Sequence, residues 1–204
     1  MKILKIIGII LLVIIVGCLG MAIMQSDHGS INSSISINAS PESVYEECVN
    51  IKKMDAWSPW HAIEPSAFSY EGPEEGVGAT SKWNSENPEL GIGSLKIIEV
   101  TPNEYLKSDM KFEGFDGTFN SWVKIEEEGE GSKVTWGYDY SDIGLMGRFF
   151  MSLMDVNEEM LPKFDQGLAD LKKIVESKPT PEPEVMEEGM ASDSTAMETP
   201  MESE

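Results

Sequence analysis

The run Ile35-Ser36-Ile37-Asn38-Ala39-Ser40-Pro41-Glu42-Ser43-Val44-Tyr45 changes its period in the middle. Before Ala39, Ile31, Ile35 and Ile37 share one face of an extended chain and serines and asparagines take the other, which predicts a half-buried strand over residues 30–37. At Ser40 the signals become those of a helix start: a hydroxyl N-cap, a proline at the first helical position and an acid in the first turn. The helix predicted from there reaches about Asn50 and buries Val44, Tyr45, Cys48 and Val49. Next, Met54-Asp55-Ala56-Trp57-Ser58-Pro59-Trp60 reads as a short helical turn stopped by proline and holding two indoles.

Downstream the pattern becomes one of alternation between turn signals. Strands are predicted over residues 67–70, 80–83, 91–100, 104–112, 118–126 and 133–140, separated by Glu71-Gly72-Pro73, Glu86-Asn87-Pro88, Thr101-Pro102-Asn103, Gly114 to Gly117 and Gly129-Glu130-Gly131. Val134, Trp136, Tyr138 and Tyr140 share one face of the last strand, and Phe119, Val123 and Ile125 share one face of the strand before it. An antiparallel meander with one covered face follows. Residues 145–177 then carry Met146, Phe150, Leu153, Leu161, Phe164, Leu168, Leu171 and Val175 at three- and four-residue steps, a single apolar helical stripe. Pro162 removes a hydrogen bond to the carbonyl four residues back, so a kink is expected near residues 158–161.

Three pieces of different charge flank and contain this pattern. The chain of 204 residues has 15 basic and 36 acidic side chains, a net charge of −21. Residues 1–25 carry +2, residues 26–178 carry −15, and residues 179–204 carry −8 with no base. So acidic a chain lacks the clustered Lys and Arg that drive phosphate binding, and nucleic acid is excluded as the expected partner.

Residues 6–24 contain no charge, and at about 1.5 Å per residue they span roughly 28 Å, close to the hydrocarbon thickness of a bilayer. With Lys2 and Lys5 before it and no base until Lys52, the segment reads as a single-pass anchor with a cytoplasmic N-terminus and the domain outside. A cleaved export signal, with Ser26 and Gly29 as a poor cleavage site, and a lipoprotein signal ending in Ile15-Val16-Gly17-Cys18 are its rivals. Cys48 is then the one thiol of the soluble part, so no internal disulfide is expected there. Residues 179–204, with four prolines and eight acids, are expected to be a disordered tail. Acidic in net charge, the domain is expected to be repelled by anionic headgroups and to stand off the bilayer rather than dock flat on it.

The order of strand, helix, six-strand meander and long terminal helix resembles the helix-grip, or START-like, fold, an α+β architecture. Ile35 to Tyr45, Trp57-Ser58-Pro59-Trp60, Gly76-Val77-Gly78-Ala79, Gly91 to Glu99, Thr101 to Glu104, Lys133 to Trp136 and Met146-Gly147-Arg148 leading to Gly167 to Lys172 resemble, in order, the polyketide cyclase/dehydrase and lipid-transport group of the SRPBCC superfamily, including its membrane-anchored bacterial type. The resemblance covers about residues 30–176. It implies a curved antiparallel sheet around the C-terminal helix with a cavity between them, used in the superfamily for lipids, sterols, polyketides or hormones.

On that implication the expected function is a membrane-anchored binding domain for a small hydrophobic or amphipathic, lipid-like ligand, with no cofactor. The ligand-binding candidates are Trp57, Trp60, His61, Trp83, Phe119, Trp136, Tyr138, Phe150, Met154 and Asn157. The aromatic residues either fill the core or line a pocket. Asn157 projects into the terminal helix's apolar stripe beside Leu153, where its carboxamide is either a polar handle for a ligand or a structural bond at the kink. One alternative is a cyclase- or dehydratase-like enzyme using His61 or a buried carboxylate. Another is a protein-interaction module with a filled core. No residue is assigned a catalytic role. The Glu126 to Glu130 run falls in a turn and lacks calcium-loop spacing, so no metal site is expected.

Overall fold

The computed structural model describes residues 2–153 and 155–178. An apolar helix α1 (Lys2–Met24) precedes β1 (Gly29–Ile37), α2 (Pro41–Val49) and α3 (Ile51–Trp57). Two single 3-10 turns follow, then β2 (Phe68–Glu71), β3 (Thr80–Asn84), β4 (Ile92–Thr101), β5 (Tyr105–Phe112), β6 (Thr118–Glu128) and β7 (Gly131–Ser141). The chain ends in α4 (Leu145–Met151) and α5 (Val156–Glu176).

The seven strands form one antiparallel sheet in the order β1-β7-β6-β5-β4-β3-β2, so the meander is extended by β1 pairing with the last strand. Register sets which side chains share its inner face. Ile97, Ser108, Ser121, Tyr138 and Ile31 form one cross-strand row, and Tyr70, Ser81, Leu95, Met110 and Phe119 form the next. A bulge between Ile97 and Glu99 shifts the β4 register, a device that bends a strand. Against the concave face lie α2, α3 and α5, with Val44, Cys48, Phe164, Leu168 and Leu171 almost free of solvent. Complete burial of a side chain such as Phe164 contributes about 1.5–3 kcal/mol. Gly167 lets α5 approach closely, because a Cβ there would stand 2.5 Å from Cζ3 of Trp136.

Local chemistry explains the helix ends. Ser40 caps α2 by accepting from Ser43 N, and Asn50 caps α3 by accepting from the backbone of Lys52 and Lys53. A single helix to Asn50 is therefore closed one residue early and restarted at once.

The terminal helix departs from expectation. α4 ends at Met151 and α5 starts at Val156, so residues 158–161 are continuous helix, and Pro162 sits inside α5. Asp155 accounts for this: its side chain accepts from Asn157 N at 3.0 Å and Glu158 N at 3.2 Å, which starts a new helix. Pro162 is the seventh residue of that helix and faces solvent, where the freed carbonyl can be hydrated. Met154 and the expected disorder of residues 179–204 lie outside the described residues.

Candidate functional site

Small residues at the middle of the concave face open a pocket. Ser81, Ser108 and Ser121 put small side chains on this face, and Gly93 lets the Trp83 ring lie close over β4, since a Cβ there would stand 2.5 Å from its Cζ2. The result is a pocket of about 390 Å³ between the sheet and the first half of α5. Trp83, Leu95, Met110 and Phe112 form its sheet side, and Val156, Met160 and Phe164 form its helix side. Its back wall is an aromatic cluster: Trp136 meets Trp57 at 4.8 Å, Phe164 at 4.8 Å and Trp60 at 5.7 Å, all edge-on. The rings interlock on that side and leave the other side open.

Few polar groups enter this apolar space. Asp55 projects from α3, 8% exposed, and Ser81 Oγ donates to its Oδ2 at 2.6 Å. Burial pushes the Asp55 carboxyl above the usual carboxylate range, outweighing the Ser81 bond, the nearby His61 and the Tyr70 bond that favour its charged form. The Tyr70 phenol is pushed up to about 12 by burial, the Asp55 charge and the bond to Asp55. Ser121 Oγ accepts from Trp136 Nε1 at 3.0 Å, which leaves its own hydroxyl hydrogen for another acceptor. Trp83 Nε1 donates to Leu90 O at 3.1 Å and is thereby satisfied within the wall.

The exposed lining residues all lie in or beside two turns, the β3–β4 turn with Pro88, Glu89 and Ile92 and the β5–β6 turn with Glu113 and Phe115. These mark the mouth. Lys163 Nζ on α5 reaches Glu89 Oε2 at 3.6 Å and stands 5.9 Å over the Trp60 ring. Glu89 and Glu113 give the entrance a negative character that disfavours an anionic guest.

The sequence-predicted residues divide into two groups. Trp60, Trp83, Trp136 and Tyr138 line the pocket. Trp57 lies behind Trp136, with its indole N–H donating to Glu47 O. Phe119 is buried between Phe112 and Tyr138, and His61 packs edge-on to Phe68 at 4.6 Å; neither lines the pocket. Phe150 is 51% exposed on α4, away from the pocket. Asn157 is also exposed and borders a separate polar crevice with Ser30, Tyr140 and Asp155. The break between α4 and α5 accounts for Phe150, because the apolar stripe of α4 does not continue in phase into α5; Asn157 keeps the phase of Phe164 but lies in the first turn of α5, ahead of the first buried residue of that helix.

Sequence reasoning did not single out Asp55. Ile51, Met54 and Asp55 fall at three- and four-residue steps on α3, and that spacing is the signal that the acid faces inward with its apolar neighbours. Among the described residues no His, Cys, Asp and Glu side chains cluster closely enough to hold a metal ion.

The family model for polyketide cyclase / dehydrase and lipid transport matches residues 28–176. The chain belongs to this family. Solved structures of similar fold include norcoclaurine synthase of Thalictrum flavum, at 12% identity and TM-score 0.55, covering 76% of this chain and 90% of that one. The ginseng major latex-like protein 151 of Panax ginseng follows at 16% identity and TM-score 0.51, covering 73% and 98%. The Aha1 dimer of Colwellia psychrerythraea stands at 19% and 0.50, covering 73% and 97%. At such identities the likeness concerns the fold alone. No curated protein sequence matches the chain. The helix α1 is long and apolar enough over Lys5–Met24 to be a membrane span or a signal sequence.

Proposed function

We propose that the protein is a membrane-anchored binding domain that takes one small apolar or amphipathic molecule with a hydrogen-bonding, non-anionic head group into this pocket. The observation that supports it is the apolar space of about 390 Å³ whose wall carries a buried Asp55. Ligand sites run from about 300 to 1,000 Å³, so the volume suits a single-chain lipid or a compact ring system and is too small for a two-chain phospholipid. Asp55 with its raised pKa and Ser121 with a spare hydroxyl hydrogen both suit a hydroxyl or amine partner. A carboxylate ligand meets Glu89 and Glu113 at the entrance. In this reading α1 crosses the membrane with its N-terminus cytoplasmic and holds the domain beside its ligand's source.

Native mass spectrometry of the full chain in phosphatidylcholine nanodiscs tests this with dodecanol, dodecylamine and dodecanoate. Dodecanol or dodecylamine is expected to bind one per chain and more tightly than dodecanoate, and Leu95→Trp, which fills the pocket, is expected to abolish it. Failure of all three to bind overturns the reading.

The same Asp55 favours a second reading, a cyclase- or dehydratase-type enzyme in which a buried carboxyl with a raised pKa exchanges a proton with a bound polyketide-like substrate. Turnover of such a substrate that is lost in Asp55→Asn while its binding persists would separate catalysis from carriage.

A further inference from the structure

The mouth of the pocket and the exit of α1 lie at one end of the sheet. Gly29, the first residue of β1, pairs with Tyr140 near the end of β7, and Phe119 near the start of β6 pairs with the same Tyr140. Gly93 near the start of β4 pairs with Phe112 at the end of β5. The β3–β4 turn, the β5–β6 turn, the start of α5 and the four residues that join Met24 to Gly29 therefore share this end. Four residues reach at most about 14 Å, which ties the domain closely to the last turn of α1.

This end is also where apolar surface is left bare. Outside α1, nine large apolar side chains among the described residues are exposed, and six of them are Ile92, Phe115, Leu145, Met146, Phe150 and Leu153. The last four, on α4 and just after it, are between 46% and 69% exposed. The α4 helix packs against α1, Ala22 of α1 is buried, and Ile143 N donates to Asp27 O at 3.2 Å beside the junction. Ile143 also closes over Gly117, since a Cβ on that glycine would meet its Cδ1 at 2.6 Å, so the Phe115 turn and α4 are held together. The bare apolar patch thus continues from the apolar flank of α1 to the rim of the pocket. The acidic Glu126 to Glu130 turn is at the opposite end.

We propose that α4, the Phe115 turn and Ile92 form a docking rim that seats in the zwitterionic leaflet at the C-terminal end of α1 and holds the pocket mouth against it, so that ligand passes between leaflet and pocket without crossing bulk water. The proposal rests on the ligand-binding, membrane-anchored reading above. Continuity with α1 supplies the occupant: a surface tethered within a few residues of the bilayer has lipid at high local concentration, and apolar side chains at that depth leave water. Glu89, Glu113, Asp116 and Asp142 around the rim outnumber Arg148 on α4, and so favour headgroups of no net charge over anionic ones. Standing off an anionic surface and seating in a neutral one are then two outcomes of the same charge.

The test uses the full chain carrying Cys18→Ser in phosphatidylcholine nanodiscs, with a nitrobenzoxadiazole label on Met146→Cys or, as reference, on Glu128→Cys in the far turn. The buried native Cys48 thiol, its pKa pushed up by burial, stays unlabelled. Doxyl-labelled lipid is expected to quench the label at position 146 roughly two-fold or more over that at position 128, with the excess falling when phosphatidylglycerol replaces phosphatidylcholine. Equal quenching at both positions overturns the rim. A label on Phe115→Cys is expected to lose its excess quenching when Met146→Glu and Phe150→Glu are introduced on the exposed face of α4, and retention overturns α4's part. Dodecanol binding by native mass spectrometry is read in the same samples. Quenching without dodecanol binding sinks the ligand reading and leaves the docking surface; dodecanol binding without quenching sinks the docking rim alone.

Discussion

Ser81 Oγ donates a 2.6 Å hydrogen bond to Asp55 Oδ2, and the pair joins α3 to β3 at the wall of the pocket. One hydroxyl offsets part of the desolvation of a buried carboxyl but not all of it, so the Asp55 pKa is raised.

A pH dependence of stability follows from the Asp55–Ser81 pair. A carboxyl whose folded pKa exceeds its unfolded value contributes most below the unfolded value of 3.8, and that contribution is lost as pH rises through the folded value. Wild type is therefore expected to lose stability relative to Asp55→Asn as pH rises from about 4 to neutrality. Urea midpoints of both proteins across that range check this, and parallel profiles would show that Asp55 titrates normally.

Ser121 supplies the acceptor for the Trp136 indole N–H at 3.0 Å, in the middle of the aromatic cluster. Ser121→Ala leaves that donor buried and unpaired, at an expected cost of about 1–3 kcal/mol. Chemical denaturation measures the loss. Trp136→Phe in the same background removes the donor and is expected to recover part of it; a double mutant no better than additive would place the cost elsewhere.

Gly167 is where α5 comes closest to the sheet, with room for a hydrogen but not a methyl beside Trp136. Helix propensity alone favours Gly167→Ala by about 1 kcal/mol. Overpacking against the indole costs about 1–3 kcal/mol and is expected to prevail, so the variant melts lower. A raised melting temperature would mean that Trp136 can yield without penalty.

The alternation in β1, the Ser40 cap and the apolar phases of β6 and β7 are local signals, and each strand predicted from them falls within about two residues of its observed bounds. Trp83, Trp136 and Tyr138 line the pocket because strand alternation settles which face a side chain takes, and Trp60 joins them from the proline-containing turn after α3. Asp55 was harder to see, since an acid on a seven-residue helix shows its direction only when α3 is laid under the sheet. Placing Phe150 on the stripe of α5 runs one helical phase across a break, and a phase does not survive a restart; Asn157 shares the phase of Phe164, but a phase does not tell that the first turn of α5 lies ahead of its buried stretch. Proline dominated the sequence pattern at 162, but its carbonyl partner faces solvent, whereas the weaker-looking Asp155 had two backbone donors to satisfy.

That contrast yields a direct comparison. Asp155 is the N-cap of α5, and Asp155→Ala removes the acceptor for two otherwise orphaned N–H groups. An N-cap loss costs about 0.5–2 kcal/mol, and here it also loosens Val156 and Met160, which form the helix side of the pocket. Asn157, exposed at the second helical position, has its backbone N–H satisfied by Asp155 and no side-chain partner in the pocket. Asn157→Leu is therefore expected to change stability by less than about 0.5 kcal/mol, as surface substitutions do. Thermal melts of the two variants, with hydrogen exchange over residues 155–160, check the pair. A large effect at 157 with none at 155 would move the origin of the helix back toward the proline.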